Sequence, residues 1–173
     1  MKFIDVTLRD GGHQHGFYWP LEFIERYLKS LNSFKEIEFV ELGYWKQSGK
    51  FDGPFYSIEE NLLSSICKMT KKKLSIMVDY HYCSHNVEDF PSTKYFNELG
   101  LIRVCLRKED ILDGCKFVKD LKEFTKCKLS INFFNITNYN EEDLALACKA
   151  AASSDADFMY FADTHGGLDL GKN

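Results

Sequence analysis

The chain has 173 residues, enough for one ordinary domain with a sizeable hydrophobic core. Its formal net charge of -4 argues against nucleic-acid or membrane-surface binding as the main function, and no apolar run approaches the ~20 residues that cross a bilayer. The six cysteines form no C-x-x-C pair, and the strand-like sequence directly after Met1 gives no indication of a signal peptide. These features predict a reduced, cytoplasmic protein.

Strand and helix patterns alternate along the whole chain. In chain order the predicted elements are strand 2–8, a helix from Pro20, strand 36–42, a helix after Ser57, strand 73–80, a short helix 91–99, strand 101–106, a helix from Ile111, strand 128–134, a helix capped by Asn140 and strand 157–162. Ser57 and Glu60 have capping-box spacing. Six strands separated by five helices predict an α/β fold with a parallel sheet.

The longest stretches without a helix or strand pattern are residues 10–19, 43–56 and 81–89, and each follows a predicted strand. The carboxyl ends of parallel strands meet at one edge of a sheet, and α/β folds place their active sites at that edge. We therefore expect the functional residues of this chain to come from these stretches and from the strand ends before them.

The first predicted strand carries polar side chains on one face, because Asp5, Thr7 and Arg9 share one parity while Ile4, Val6 and Leu8 share the other. A solvent-exposed edge face is one explanation. An enclosed face is the other, and it would require a partner for Arg9. Glu41 lies near the carboxyl end of the second predicted strand, where its side chain could face that of Arg9. This position predicts an Arg9–Glu41 ion pair between adjacent strands.

The segment DVTLRDGGHQ, residues 5–14, resembles the first-strand signature of the DRE-TIM metallolyases, the superfamily of HMG-CoA lyase-like aldolases and Claisen-type synthases. His13 after the two glycines resembles the 4-hydroxy-2-oxovalerate aldolase branch. The segments EFVELG and MYFADTHGGL resemble the second and sixth strands of the family. The resemblance implies a (β/α)8 TIM barrel, in which residues 1–173 form about six βα units, the N-terminal portion of a single domain.

The resemblance also implies roles for individual residues. Asp10 matches the carboxylate that binds a divalent cation, Arg9 matches the arginine that stabilises an enolate oxygen, and His13 matches the acid/base histidine. Glu41 would hold Arg9 in place. Asp163 and Thr164, at the end of the sixth strand, are candidates for binding the substrate.

This set implies a divalent-metal-dependent aldolase that cleaves or forms a C–C bond next to a 2-keto acid through a pyruvate enolate. Mn2+ or Mg2+ suits such a carboxylate-rich site. A Claisen-type synthase is the runner-up, although that branch usually has Glu-Gln after Asp-Gly, where this chain has Gly12-His13. A partial barrel that acts as a binding or assembly module is the non-catalytic alternative.

The chain departs from the family at the remaining metal ligands. In the family these are an His-x-His pair on the seventh strand, and the present sequence has six predicted strands. The His-x-His in this sequence is His13–His15, in the first loop. Three explanations are open: an N-terminal part of a longer aldolase, which we favour, a barrel completed by another copy or a partner chain, or a truncated inactive relative. We expect the 173 residues alone to bind metal weakly.

Two arginines and two aromatic residues near strand ends are further site candidates. Arg103 and Arg107 flank the fourth predicted strand, and a surface salt bridge is the default interpretation for each. Tyr44 and Trp45 follow the second strand, where aromatic side chains more often anchor a loop than bind a ligand.

Overall fold

The computed structural model describes residues 1–91 and 99–169, and its centre is a six-stranded parallel sheet in the order β1-β2-β3-β4-β5-β6. The strands are β1 (Phe3–Asp5), β2 (Ile37–Tyr44), β3 (Lys73–Asp79), β4 (Leu99–Leu106), β5 (Lys128–Phe134) and β6 (Phe158–Ala162). The sheet is curled. The Lys128 ammonium on β5 lies only 5.9 Å from the ring centroid of Phe39 on β2, although β3 and β4 separate these two strands in the sheet. The predicted α/β fold is confirmed as a curled half-barrel of six parallel strands with alternating helices.

Five α-helices alternate with the strands along the described chain. They are α1 (Thr7–Gly12), α2 (Leu21–Leu31), α3 (Glu60–Cys67), α4 (Ile111–Phe124) and α5 (Glu141–Ala152). Asn140 caps α5 as predicted, since its side-chain oxygen accepts the Asp143 N–H at 2.8 Å. The predicted helix 91–99 lies largely outside the described residues, and Leu99 itself begins β4.

The two faces of the sheet differ in chemistry. The outer face carries fully buried aliphatic side chains, such as Leu74, Ile76 and Val104, which pack beneath the helices. The inner face carries polar side chains in register, with Glu41 beside Ser75 and Arg103 beside Ser130. A barrel-like curl therefore gives the charged residues an interior to share, while the aliphatic residues supply the hydrophobic core.

The predicted first strand is wrong in its length. The strand ends at Asp5, and the backbone turns into α1 at Thr7, so Thr7 and Arg9 do not lie on a strand face. The Asp5 carboxylate accepts the Thr7 N–H at 3.2 Å, and the Asp10 N–H donates to the Val6 carbonyl at 2.8 Å. Such local side-chain-to-backbone bonds compete with strand pairing and start the turn.

The predicted capping box at Ser57 is also wrong. Helix α3 begins at Glu60, and its N-cap Glu59 makes no side-chain capping bond. The reason is that the Ile58 N–H donates to the Tyr44 carbonyl at 2.9 Å, and Ile58 forms a parallel bridge with Trp45. Pairing with the end of β2 keeps the chain extended at Ile58 and postpones the helix.

The last strand of the described sheet, β6, is open on both faces. Met159, Tyr160 and Phe161 are each 40% exposed although they alternate between the faces. No helix within residues 1–91 and 99–169 is long and apolar enough to span a membrane.

The paired glycines of α1 provide a matched test of packing. A Cβ on Gly12 would overlap the ring of the fully buried Phe17, whereas a Cβ on Gly11 would meet the nearest atom of Trp19 at 3.5 Å, an ordinary contact. We expect Gly12→Ala to lower the free energy of unfolding by about 1–3 kcal/mol through overpacking. Gly11→Ala should be neutral or stabilising by up to about 1 kcal/mol, because alanine favours a helix more than glycine does. Urea unfolding of both variants checks this, and equal effects would contradict the packing at Gly12.

Candidate active site

A buried carboxylate between two guanidinium groups forms the centre of the candidate site. Glu41 is fully buried on β2, and its Oε1 accepts the Arg9 Nε–H at 2.8 Å. Arg103 on β4 donates from Nη1 to both carboxylate oxygens, at 3.0 and 2.9 Å. The predicted Arg9–Glu41 pair is confirmed, with Arg9 approaching from α1 instead of from a strand. The predicted surface role of Arg103 is wrong, because its side chain lies on the inner face of the sheet.

This arrangement fixes the Arg9 guanidinium and keeps it charged. Burial by itself would lower the pKa of Arg9, but Glu41, Tyr44 and Asp10 together outweigh burial and raise the pKa above its ordinary value. Nη1 of Arg9 donates to Asp10 at 3.0 Å. With Nε and Nη1 engaged, the Nη2 amino group has no partner among the residues that the structure describes. The result is a rigid cation with a free pair of N–H donors, the type of group that stabilises an oxyanion.

His13 lies next to this cation, immediately after α1. Its Nε2 lies 3.3 Å from the Tyr44 hydroxyl oxygen at the end of β2, and its ring makes edge contacts with Phe17 and Phe51 at centroid distances of 5.0 and 5.8 Å. Although His13 stays accessible to solvent, partial burial lowers its pKa, and the charge of Arg9 lowers it further. Burial also raises the pKa of Tyr44, so its hydroxyl stays protonated. A neutral imidazole beside a neutral phenol can accept a proton near pH 7.

The lowered pKa of His13 gives a prediction about pH. Folding favours the neutral ring, so the stability that His13 contributes is present above its ordinary pKa of 6.5 and is lost as the pH falls through the lower folded value. We expect the ring protons of His13 to titrate by NMR with a midpoint below 6.5. His13→Gln assigns the signal by removing it. A midpoint at or above the ordinary value would show that the ring is not desolvated.

A pocket of about 210 Å³ opens beside His13 at the carboxyl edge of the sheet. Tyr44 lines it, so Tyr44 belongs to the site, whereas Trp45 is a loop anchor as predicted: it is buried and its Nε1–H donates to the Asp89 carbonyl at 2.9 Å. A larger groove of about 440 Å³ lies between α4 and α5 on the outer surface, away from these groups.

A second ion pair borders the same edge. Arg107, just after β4, donates to both oxygens of Asp79 at the end of β3, at 2.7 and 3.0 Å. The rings of Tyr82 and Phe134 lie 5.3 and 5.1 Å from the guanidinium carbon. Arg107 is therefore held by a two-bond ion pair and two aromatic contacts, and it compensates the charge of Asp79 in a partly buried pair in place of the predicted surface salt bridge.

Asp163 and Thr164 lie at the carboxyl end of β6, as predicted. The Asp163 carboxylate accepts the main-chain N–H groups of Leu168 and Gly167, at 3.0 and 2.9 Å, and these bonds lower its pKa. The Thr164 hydroxyl accepts the Asn135 N–H at 3.0 Å, which ties the turn after β6 to the end of β5. Both residues shape this turn, and a contact with substrate stays a prediction.

The described residues do not form a divalent-metal site by themselves. Asp10 is exposed at 69% of its side chain, and one of its oxygens accepts from Arg9. Within residues 1–91 and 99–169 no group of three His, Cys, Asp or Glu side chains could hold a metal ion. His15 packs its ring against Trp19 at a centroid distance of 4.0 Å.

No protein-family model and no curated protein matches the sequence. Among solved structures, the chain is similar to the N-terminal domain of a putative aldolase from Bacteroides vulgatus, with a TM-score of 0.76 and 21% sequence identity. The match covers 97% of this chain and 56% of that protein, so the chain spans little more than half the length of its structural neighbour. The similarity shows that the curled half-barrel is a fold found in that N-terminal domain.

Proposed function

We propose that the chain is the N-terminal portion of a TIM-barrel aldolase or lyase of the DRE-TIM, HMG-CoA lyase-like type, closest in chemistry to 4-hydroxy-2-oxovalerate aldolases. It would cleave or form a C–C bond next to a 2-keto acid. The observation that carries the proposal is the Arg9 guanidinium, locked by buried Glu41 beside the His13–Tyr44 pair. The fold shared with the N-terminal domain of a putative aldolase supports it.

The residues suggest how the cleavage would proceed. The neutral His13 ring takes the proton of the 4-hydroxyl group, and the oxygen electron pair forms the aldehyde C=O bond. The C3–C4 bond breaks, and its electrons become the pyruvate enolate, whose oxygen is stabilised by the free N–H donors of Arg9. The enolate carbon then takes up a proton from solvent, and His13 releases its own. Glu41 and Arg103 act through Arg9 by holding it in position.

The substrate, metal and location of the reaction are also proposals. Asp163 and Thr164 would contact the 2-keto acid from the β6 end, and Mn2+ or Mg2+ would bind at Asp10 with further ligands from outside the described residues. The reaction would be cytoplasmic.

The experiment that tests the proposal is exchange of the pyruvate methyl protons in D2O, followed by proton NMR. Exchange reports formation of the enolate and needs no aldehyde. We expect the full 173-residue chain to accelerate exchange over buffer, and the assay includes arms with Mn2+, with Mg2+ and with neither. Asp10→Asn should abolish any acceleration that depends on the ion. No acceleration in any arm would overturn the proposed function.

A second candidate is an incomplete barrel that acts as a binding or assembly module. The observation that favours it is the exposure of β6. Met159, Tyr160 and Phe161 are each 40% exposed, as expected for a strand that pairs or packs with another chain. Another copy or a partner chain would then complete the barrel. Exchange by the wild-type chain that Arg9→Ala removes would exclude a purely non-catalytic module. A Claisen-type synthase of the same superfamily would share the enolate step and differ in using an acyl thioester.

A further inference from the structure

The pocket beside His13 has a chemistry that the enolate step does not use. Besides His13 and Tyr44, it is lined by Gln47, Lys50 and Phe51. Buried Gln47 donates from Nε2 to the Tyr56 hydroxyl at 3.0 Å, and its Oε1 accepts the Asp79 N–H at 3.3 Å. Both ends of the amide are thus engaged, so this wall of the pocket is fixed before any ligand arrives.

The pocket is also positively charged. Asp79 lines it, but Arg107 compensates its carboxylate with two hydrogen bonds. Lys50 lines the same pocket and makes no ion pair with any residue in the described ranges; its ammonium lies 5.2 Å from the Phe51 ring centroid. An exposed ammonium without a counter-ion, at the edge of an aromatic pocket, favours an anionic group on whatever the pocket holds.

We propose that this pocket binds the second reactant of the aldol reaction, and that the reactant is a small aldehyde with a carboxylate at its far end. The inference rests on the proposed function and deepens it. The aldehyde carbon would lie near His13 and the carboxylate would pair with Lys50. A volume of about 210 Å³ leaves room for a small aldehyde of this kind.

The addition balances without another reagent. The enolate carbon of pyruvate attacks the aldehyde carbon and forms the new C–C bond. The C=O π electrons move to the aldehyde oxygen, which takes a proton from the imidazolium of His13, so the proton lost from the pyruvate methyl group is replaced by one on the new hydroxyl group.

A binding experiment tests the pocket independently of turnover. The probe is succinate, an unreactive four-carbon dicarboxylate, titrated into the full chain while the ring protons of His13 are followed by NMR. We expect a saturable shift in the wild-type chain and an affinity about fivefold weaker in Lys50→Gln. The control is Lys126→Gln, since Lys126 is exposed just before β5 at the opposite edge of the sheet; it should bind as the wild type does. No saturable shift, or equal affinity in Lys50→Gln, would overturn the inference.

A kinetic arm separates this inference from the proposed function. With pyruvate in excess, kcat/KM is compared for succinic semialdehyde and for butanal, which has the same chain length and no charge. We expect the charged aldehyde to be preferred, and Lys50→Gln to reduce the preference about fivefold. Pyruvate exchange with no preference for the charged aldehyde would remove the inference and leave the proposed function standing. Absence of exchange would remove both.

Discussion

Replacement of Arg9 by alanine is expected to slow exchange of the pyruvate methyl protons by about 10²–10³-fold, the usual cost of losing one oxyanion donor. Arg9 combines a permanent charge, a 2.8 Å hydrogen bond to Glu41 that fixes its orientation, and an amino group without a partner among the described residues. Stability should change less than activity, because Glu41 keeps its two bonds to Arg103 when Arg9 is removed.

Two further variants sharpen this test. Arg26→Ala removes an exposed arginine of α2 whose ion pair with Glu22 spans 3.8 Å, and it should exchange pyruvate at the wild-type rate. Arg9→Lys keeps the charge but loses the planar fork that Glu41 and Asp10 hold, so its rate should stay well below that of the wild type. An Arg9→Ala variant within threefold of the wild type, on the order of 0.6 kcal/mol in barrier height, would mean that Arg9 does not meet the enolate.

The regular part of the fold was predictable because local patterns and long-range packing agree there. For β5 the predicted and observed bounds are the same, residues 128–134, since Leu129, Ile131 and Phe133 alternate with inward-facing Ser130 and Asn132. Asn140 was also predictable, because its capping bond involves residues only three positions apart. In both cases the signal lies within a few residues of the structure that it determines.

The errors arose where distant parts of the chain decide the local structure. Helix α1 contains two glycines and would not be chosen on helix propensity, yet buried Phe17 packs directly against Gly12 and its N–H donates to the Gly12 carbonyl at 3.0 Å. Ser57 failed as a helix start because Ile58 bonds to the end of β2. Neither partner can be identified from the neighbouring sequence.

The candidate site was half predictable for the same reason. The alternation of side chains along the predicted strands indicated that Arg9 pairs with Glu41. This prediction is correct although the first strand is shorter than predicted, because the long Arg9 side chain reaches Glu41 from helix α1. Arg103 was interpreted as a surface residue, although its parity with Leu101 and Cys105 places it on the inner face. The curl that brings it within 3.0 Å of Glu41 is a property of the whole sheet. The contact between His13 and Tyr44 joins a helix end to a strand end and has no local signature.

The largest stability effect is expected at Glu41. Glu41→Gln keeps the size of the side chain but removes the charge that Arg9 and Arg103 both need, and it leaves two largely buried guanidinium groups facing an amide. Loss of one member of a buried ion network costs about 3–5 kcal/mol, because the remaining charges stay desolvated. We expect the urea midpoint to fall accordingly with an unchanged m-value. An unchanged m-value would show that the variant exposes the same surface on unfolding as the wild type does.

The matched control is Glu22→Gln, at a side chain that is 80% exposed and paired with Arg26 at 3.8 Å, and it should change stability by less than about 0.5 kcal/mol. A double variant isolates the charge effect: adding Arg103→Met to Glu41→Gln removes one of the two uncompensated cations and should recover part of the loss. If Glu41→Gln unfolds within about 1 kcal/mol of the wild type, the carboxylate is not the group that holds the two arginines. If it is destabilised as expected and the double variant is less so, then Arg9 owes its position to a network that joins β2, β4 and α1.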